Sequence, residues 1–228
     1  MSLNDLEYLV ATKEDQSEIL DFLLTYFYKE EPCTKALKLA KEEVGPLYAS
    51  IIERCLRYPF STVVRTPTAG IVGVLLNSVW RRDDEASSGG DYDDGEHASP
   101  NMSAFVRFLN RAHDDLWDLL PPNVDAVLHR EISSVATAFQ RNGIATKMLT
   151  ANVSSSRLDE FNIGGVLSET SSFANQTLLA KHGFKCLKEL AYSEMRNARG
   201  DRVLTAPLDG AHALRLNYKS IDEFEFEN

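Results

Sequence analysis

Apolar and polar positions along the 228 residues change period repeatedly, and the changes divide the chain into short elements. Leu6 to Ala11 reads as a first strand. From Thr12 to Tyr28 the apolar residues Ile19, Leu20, Leu23, Leu24 and Phe27 recur at helical spacing, with Thr12 and Asp15 placed as a capping pair. Pro32 breaks the chain, and residues 34–57 form a second helical region with an interruption expected at Gly45-Pro46. Ser61–Arg65 and Ile71–Val79 read as a hairpin around Pro67-Thr68-Ala69-Gly70. A helix is predicted over 103–120, stopped by Pro121-Pro122. A strand follows at 127–136, a helix at 143–157 and a short strand near 163–168. The remaining elements are a helix at 173–182, a strand at 184–195 and a last strand through Leu214, Leu216 and Tyr218. Mixed strands and helices in this order predict an α/β three-layer sandwich around one central, mixed and mostly antiparallel sheet.

One junction carries chemistry. The strand ending at Val135 runs through Gln140-Arg141-Asn142-Gly143-Ile144-Ala145-Thr146 directly into a helix. A turn opening a helix presents unpaired N–H groups, an arrangement suited to a pyrophosphate. Gly143 and Ala145 have no bulky side chain to keep a phosphate from the backbone. Further on, Ser171-Ser172-Phe173-Ala174-Asn175 opens a helix that ends at Lys181-His182-Gly183-Phe184, where Gly183 fits a C-cap.

These two segments resemble the acetyl-CoA loop and the Asn-bearing helix of the GNAT superfamily of N-acetyltransferases. Tyr26-Phe27-Tyr28-Lys29-Glu30-Glu31-Pro32 and Gly73-Val74-Leu75-Leu76-Asn77-Ser78-Val79-Trp80-Arg81-Arg82 are similar to segments of the dopamine-type arylalkylamine N-acetyltransferases of invertebrates. The likeness runs from about residue 6 to about residue 220 and is sparse between the motifs. It implies a GNAT-like fold and acetyl transfer from acetyl-CoA to a small primary amine, an arylalkylamine, by direct attack in a ternary complex. Polyamines and other amines are alternative substrates, and a catalytically silent acyl-CoA-binding module is the alternative role.

The resemblance also assigns residues. Glu31 matches the catalytic Glu of a Lys-(Asp/Glu)-Glu-Pro motif, with Glu30 as its rival. The pyrophosphate would lie on the backbone of Arg141, Asn142, Gly143, Ile144, Ala145 and Thr146, beside the Gln140 side chain. The strand before the turn is implied to splay, freeing Ser133, Ser134 and Val135 for pantetheine. The position of a Tyr acid used by many members holds Leu179. Ser171 matches the first of two serines assigned to proton handling in the insect enzymes, and Asn175 replaces the second while matching the wider superfamily's pantetheine-binding Asn. Trp80, Tyr26 and Phe27 are candidates for an aromatic amine pocket.

Charge and composition change this picture little. With 24 basic and 34 acidic residues, the net charge of −10 argues against a nucleic-acid partner, which needs a positive face. Asp83, Asp84, Glu85, Asp91, Asp93, Asp94 and Glu96 concentrate in a stretch read as a flexible acidic insertion at about 83–100 within one domain, 1–228; the tail at about 220–228 is also acidic. Cys33, Cys55 and Cys186 suggest no disulfide framework. His97, His113, His129, His182 and His212 are widely separated and read as lone residues, so no metal is expected. With no signal peptide and no membrane-length apolar run, the expectation is a cytoplasmic monomer or homodimer whose partners are acetyl-CoA and an amine, not nucleic acid or membrane.

Overall fold

In the computed structural model, which describes residues 5–83, 92–95, 98–204 and 209–224, alternating segments pair into one seven-stranded sheet. The strands are β1 (Glu7–Val10), β2 (Thr62–Thr66), β3 (Gly70–Arg81), β4 (Ala126–Val135), β5 (Gly165–Thr170), β6 (Lys185–Ala191) and β7 (Ala213–Ser220). Their order is β1-β2-β3-β4-β5-β7-β6. Every described pairing is antiparallel except β4 with β5. Helices flank this sheet, so the expected mixed α/β architecture is present. No helix of the described residues is long and apolar enough to cross a membrane.

The first helical region is segmented. The Thr12 N–H donates to Asp15 Oδ2 at 2.8 Å, as the capping pair anticipates. Helix α1 (Gln16–Phe22) then widens into a π-helical turn at Leu23–Phe27 and resumes as α2 (Tyr28–Glu30). The expected break at Gly45-Pro46 is not where the chain breaks. Helix α3 (Pro32–Leu37) ends at Lys38, whose φ of 55° is left-handed, and α4 (Lys41–Cys55) runs through Pro46.

Two other long helices are likewise divided by left-handed residues. The segment 103–120 becomes α5 (Pro100–His113) and α6 (Leu116–Leu119), separated where Asp115 takes φ 62°. The segment 143–157 becomes α7 (Ile144–Met148) and α8 (Ser155–Glu160). Asn152 at φ 61° turns the chain, and the Ser154 side chain accepts from Arg157 N. Helix α9 (Phe173–Lys181) matches its expected span and ends, as anticipated, at Gly183 with φ 80°.

The acidic stretch 83–100 lies partly outside the described residues. Within it Tyr92 is buried and reaches the sheet. Arg82, just past the end of β3, is tied down. Its guanidinium donates to the carbonyls of Trp117, Pro121 and Val124 and stacks on Trp117.

Gly165 marks a close approach at the β5–β7 pairing, because a Cβ there would stand 2.3–2.5 Å from Cε2, Cζ and the hydroxyl oxygen of Tyr218. Overpacking of this kind costs about 2–3 kcal/mol. Gly165→Ala is therefore expected to lower Tm by about 5–10 °C in a protein of this size. A Tm within 1 °C of the parent by calorimetry would show that the ring swings away at little cost.

Candidate active site

Hydrogen bonding between β4 and β5 holds only from Val127↔Gly165 to Arg130↔Ser168. Beyond Arg130 the strands part, and β4 continues to Val135 alongside β3 only. Ala136 N donates to Val72 O at 2.8 Å, so the backbone there points toward β3. Strand alternation then turns the N–H groups of Ser133 and Val135 to the open side. Gln140 Nε2 donates to Val135 O at 3.1 Å from that side.

The gap opens into a cleft of about 440 Å³. Its walls include Ser133, Ser134, Val135, Gln140, Arg141, Gly143, Ile144, Ala145, Thr146, Ser171 and Asn175, together with Glu31. Arg141 and Gly143 take φ 61° and 78°, the kind of left-handed turn that can bring successive backbone N–H groups together. Nothing lies within 4 Å of where a Gly143 Cβ would stand, so the backbone is bare toward the cleft. Asn142 is outside the lining; its amide turns back to the carbonyls of Phe139 and Gln140. Because α7 has only five residues, the first-turn N–H groups rather than a long macrodipole supply the positive character.

Glu31 is 5% exposed and caps α3. Oε1 accepts from Cys33 N at 3.1 Å and Oε2 accepts from Thr34 N. Pro32 at the first helical position fits its fixed φ and missing N–H, so the Glu-Pro pair itself builds this corner. Glu30 is committed elsewhere. It accepts from Thr137 Oγ1 at 2.8 Å and Gln140 Nε2 at 2.6 Å, fastening α2 to the turn. The Gln140 side chain is thus held by Glu30 and Val135. Ser171 lines the same cleft as Glu31, and its carbonyl accepts from the Tyr192 hydroxyl.

No protein-family model and no curated protein matches the sequence. Solved structures do. Arylalkylamine N-acetyltransferase 2 from Aedes aegypti superposes with a TM-score of 0.76 at 18% identity, covering 96% of this chain and 100% of that one. Drosophila melanogaster polyamine N-acetyltransferase, described as forming N-acetylagmatine, gives 0.75 at 15% identity over 95% of this chain and 100% of that one. The C-terminal condensation domain of Ebony, solved with β-alanyl-dopamine, gives 0.71 at 18% identity over 95% and 99%.

The fold is that of the GNAT superfamily.

In this GNAT-fold cleft, Glu31 and Ser171 also line a second, smaller cavity of about 70 Å³. Its walls are mainly apolar and aromatic, among them Phe27, Leu47, Tyr48, Ile51 and Phe105. Of the three aromatics expected to build an amine pocket, only Phe27 lines this cavity. Tyr26 packs on Phe22, with ring centroids 5.0 Å apart, and Trp80 is buried between two imidazoles.

The floor of the small cavity reaches a buried polar cluster that overturns the reading of the histidines as lone residues. His113 at the end of α5, His129 on β4 and Glu169 on β5 converge. His113 Nε2 contacts Glu169 Oε1, and His129 Nε2 lies 3.2 Å from the same oxygen. Glu131 accepts from Arg54 at 2.8 Å, Ser78 at 2.6 Å and Tyr92 at 2.8 Å. Burial pushes the Glu131 and Glu169 carboxyls up, but the neighbouring imidazoles, with Arg54 and Ser78 on Glu131, hold both well below the usual range. His97 lies outside the described residues. The signal for this cluster was in the sequence: His129-Arg130-Glu131 are three ionisable residues in a row inside a central strand. On the opposite face of β4 the buried Arg130 guanidinium donates to Leu149 O, stacks over Phe184, and has its pKa lowered by burial to about 9.

Proposed function

We propose that this chain is an acetyl-CoA-dependent N-acetyltransferase acting on a small primary amine, with an arylalkylamine as the best-fitting class. The observation that carries the reading is the meeting of two unlike cavities at Glu31 and Ser171. The larger one offers a splayed strand edge and a glycine-bearing turn, which suit pantetheine and pyrophosphate. The smaller one offers aromatic walls behind the same carboxylate. The residues present fit acetyl-CoA: open backbone at Gly143, outward N–H groups at Ser133 and Val135, and Asn175 on the facing helix.

In this reading the amine enters from the small cavity. It arrives mostly protonated at neutral pH, and Glu31 takes the proton directly or through a water. The nitrogen attacks the thioester carbonyl, and the Ser133 or Val135 N–H stabilises the developing oxyanion. The C–N bond forms as the C–S bond breaks; in this reading the proton still carried by the nitrogen passes through the Ser171 hydroxyl to the departing CoA thiolate, leaving the serine unchanged. A thiol is a fair leaving group, so Leu179 in place of a tyrosine acid does not block the step. Direct transfer is supported by Cys33, the cysteine beside Glu31. It is wholly buried, and burial and the Glu31 charge push its thiol far up, away from nucleophile character.

The buried carboxylates Glu131 and Glu169 near the small cavity favour a second substrate class, diamines and guanidino amines. Thiol release from acetyl-CoA, followed over dopamine, serotonin, tryptamine, tyramine, agmatine, putrescine and spermidine, separates the two. Turnover is expected with the aromatic amines. Turnover confined to the polycations would move the substrate class and keep the reaction. Tight CoA binding without turnover of any amine would leave an acyl-CoA-binding module.

A further inference from the structure

The acetyl-transfer reading gives the two buried histidines beneath the small cavity no part. His113, His129 and Glu169 each offer a ligand atom, and these atoms all lie within 4.8 Å of one another. Their side chains are 0%, 0% and 8% exposed. They come from a helix end and two strands, so the backbone holds them rigidly.

The decisive detail is His129. It is fully buried, yet neither ring nitrogen makes a hydrogen bond of acceptable geometry. A buried imidazole without a well-aligned hydrogen bond is costly. Its Nε2 nevertheless stands 3.2 Å from Glu169 Oε1. Two donors bound tetrahedrally to one zinc ion at about 2.0–2.1 Å are separated by about 3.3 Å. The spacing is that of ligands sharing an ion.

The surroundings supply what such a site requires. His129 Nδ1 lies 3.4 Å from Glu131 Oε1, and a carboxylate behind a ligating imidazole is the usual outer partner. Arg54, Ser78 and Tyr92 hold that carboxylate in turn. Trp80 packs against both rings, with centroids 4.7 Å from His113 and 4.0 Å from His129. The two imidazoles stand nearly perpendicular, at 85°.

We propose that His113, His129 and Glu169 form a three-ligand site for a divalent cation of the zinc class, with Glu131 orienting His129 and the fourth position open to the small cavity. Two imidazoles and a carboxylate are a borderline-soft donor set that suits zinc or cobalt rather than magnesium or calcium. Binding parts His113 from Glu169, which are in direct contact, and shares Glu169 between them through the ion. The site stands apart from the acetyl-CoA cleft and does not depend on whether an amine is acetylated.

The test uses tag-free full-length protein, stripped with chelator and desalted, then titrated with Zn²⁺ by calorimetry and with Co²⁺ by visible absorption. One ion per chain is expected, with a Kd below about 1 µM and the intense visible bands of low-coordinate cobalt. His129→Gln and Glu169→Gln should each weaken binding at least about 100-fold, and Glu131→Gln by about 10–100-fold. Wild-type protein that binds neither ion stoichiometrically overturns the proposal. So does binding that survives His129→Gln and Glu169→Gln. Should the variants not fold, X-ray absorption on the Zn²⁺-loaded wild type decides: two imidazoles and a carboxylate support the site, and any other donor set overturns it.

Discussion

Glu31→Gln is expected to lower kcat/KM for amine acetylation by about 10²-fold or more while leaving the acetyl-CoA Kd within about twofold of wild type. The carboxylate stands where the two cavities meet, and in the proposed mechanism the amine proton leaves there. A carboxylate has about four acceptor positions, and the N–H groups of Cys33 and Thr34 take two, leaving capacity for substrate or water. Glutamine keeps the shape and removes the base. It also leaves one of those N–H groups facing an amide that cannot accept, and a weakened cap costs about 1 kcal/mol.

Two roles are therefore mixed in one side chain, and two readouts separate them. Loss of the cap appears in Tm and in the folded fraction; loss of the base appears in turnover per folded molecule. Glu30→Gln is the comparison. Glu30 braces Thr137 and Gln140, so its loss should raise KM for acetyl-CoA a few-fold and spare kcat. Full turnover per folded molecule in Glu31→Gln would remove Glu31 as the base, and a collapse of kcat in Glu30→Gln would move the assignment there.

The second large effect belongs to Gly143. Gly143→Glu should weaken acetyl-CoA binding by about 10²-fold. The position is open, so the new side chain extends into the cleft rather than clashing. Its charge would lie near the bound pyrophosphate, and like charges about 4 Å apart repel by about 1 kcal/mol in water and about 4 kcal/mol near a protein surface. The φ of 78° adds a strain of about 1–2 kcal/mol for any side chain. Gly143→Ala carries the strain without the charge and should cost no more than a few-fold in affinity. Calorimetric titration of both variants checks this. Equal affinity for Gly143→Glu and wild type would show that the turn is not where phosphate binds.

Short signals in the chain were legible because the physics they report is local. Glu31-Pro32 makes a cap and a first helical residue within two positions. Ser172 caps α9 by accepting from Asn175 N, and Gly183 ends it. The run from Val135 to Thr146 produces the turn and the bare backbone that its glycine implies. Helix lengths were less legible. Lys38, Asp115 and Asn152 adopt left-handed φ without being glycine, while Pro46 sits inside a helix. Packing against the sheet outweighs a propensity of a few kcal/mol at such points.

By itself, then, the sequence determined the order and type of the elements, the glycine-bearing turn and the Glu-Pro corner, all set by neighbours a few residues apart. Only the tertiary structure decided what those parts enclose. The β4–β5 splay depends on which strands pair, and the small cavity depends on α4 and α5 meeting the sheet. His113, His129 and Glu169 belong to α5, β4 and β5 and carry no common motif. They become one cluster because burying the apolar faces of those elements stacks their polar residues at a single depth, and periodicity along a chain does not report which distant residues share it.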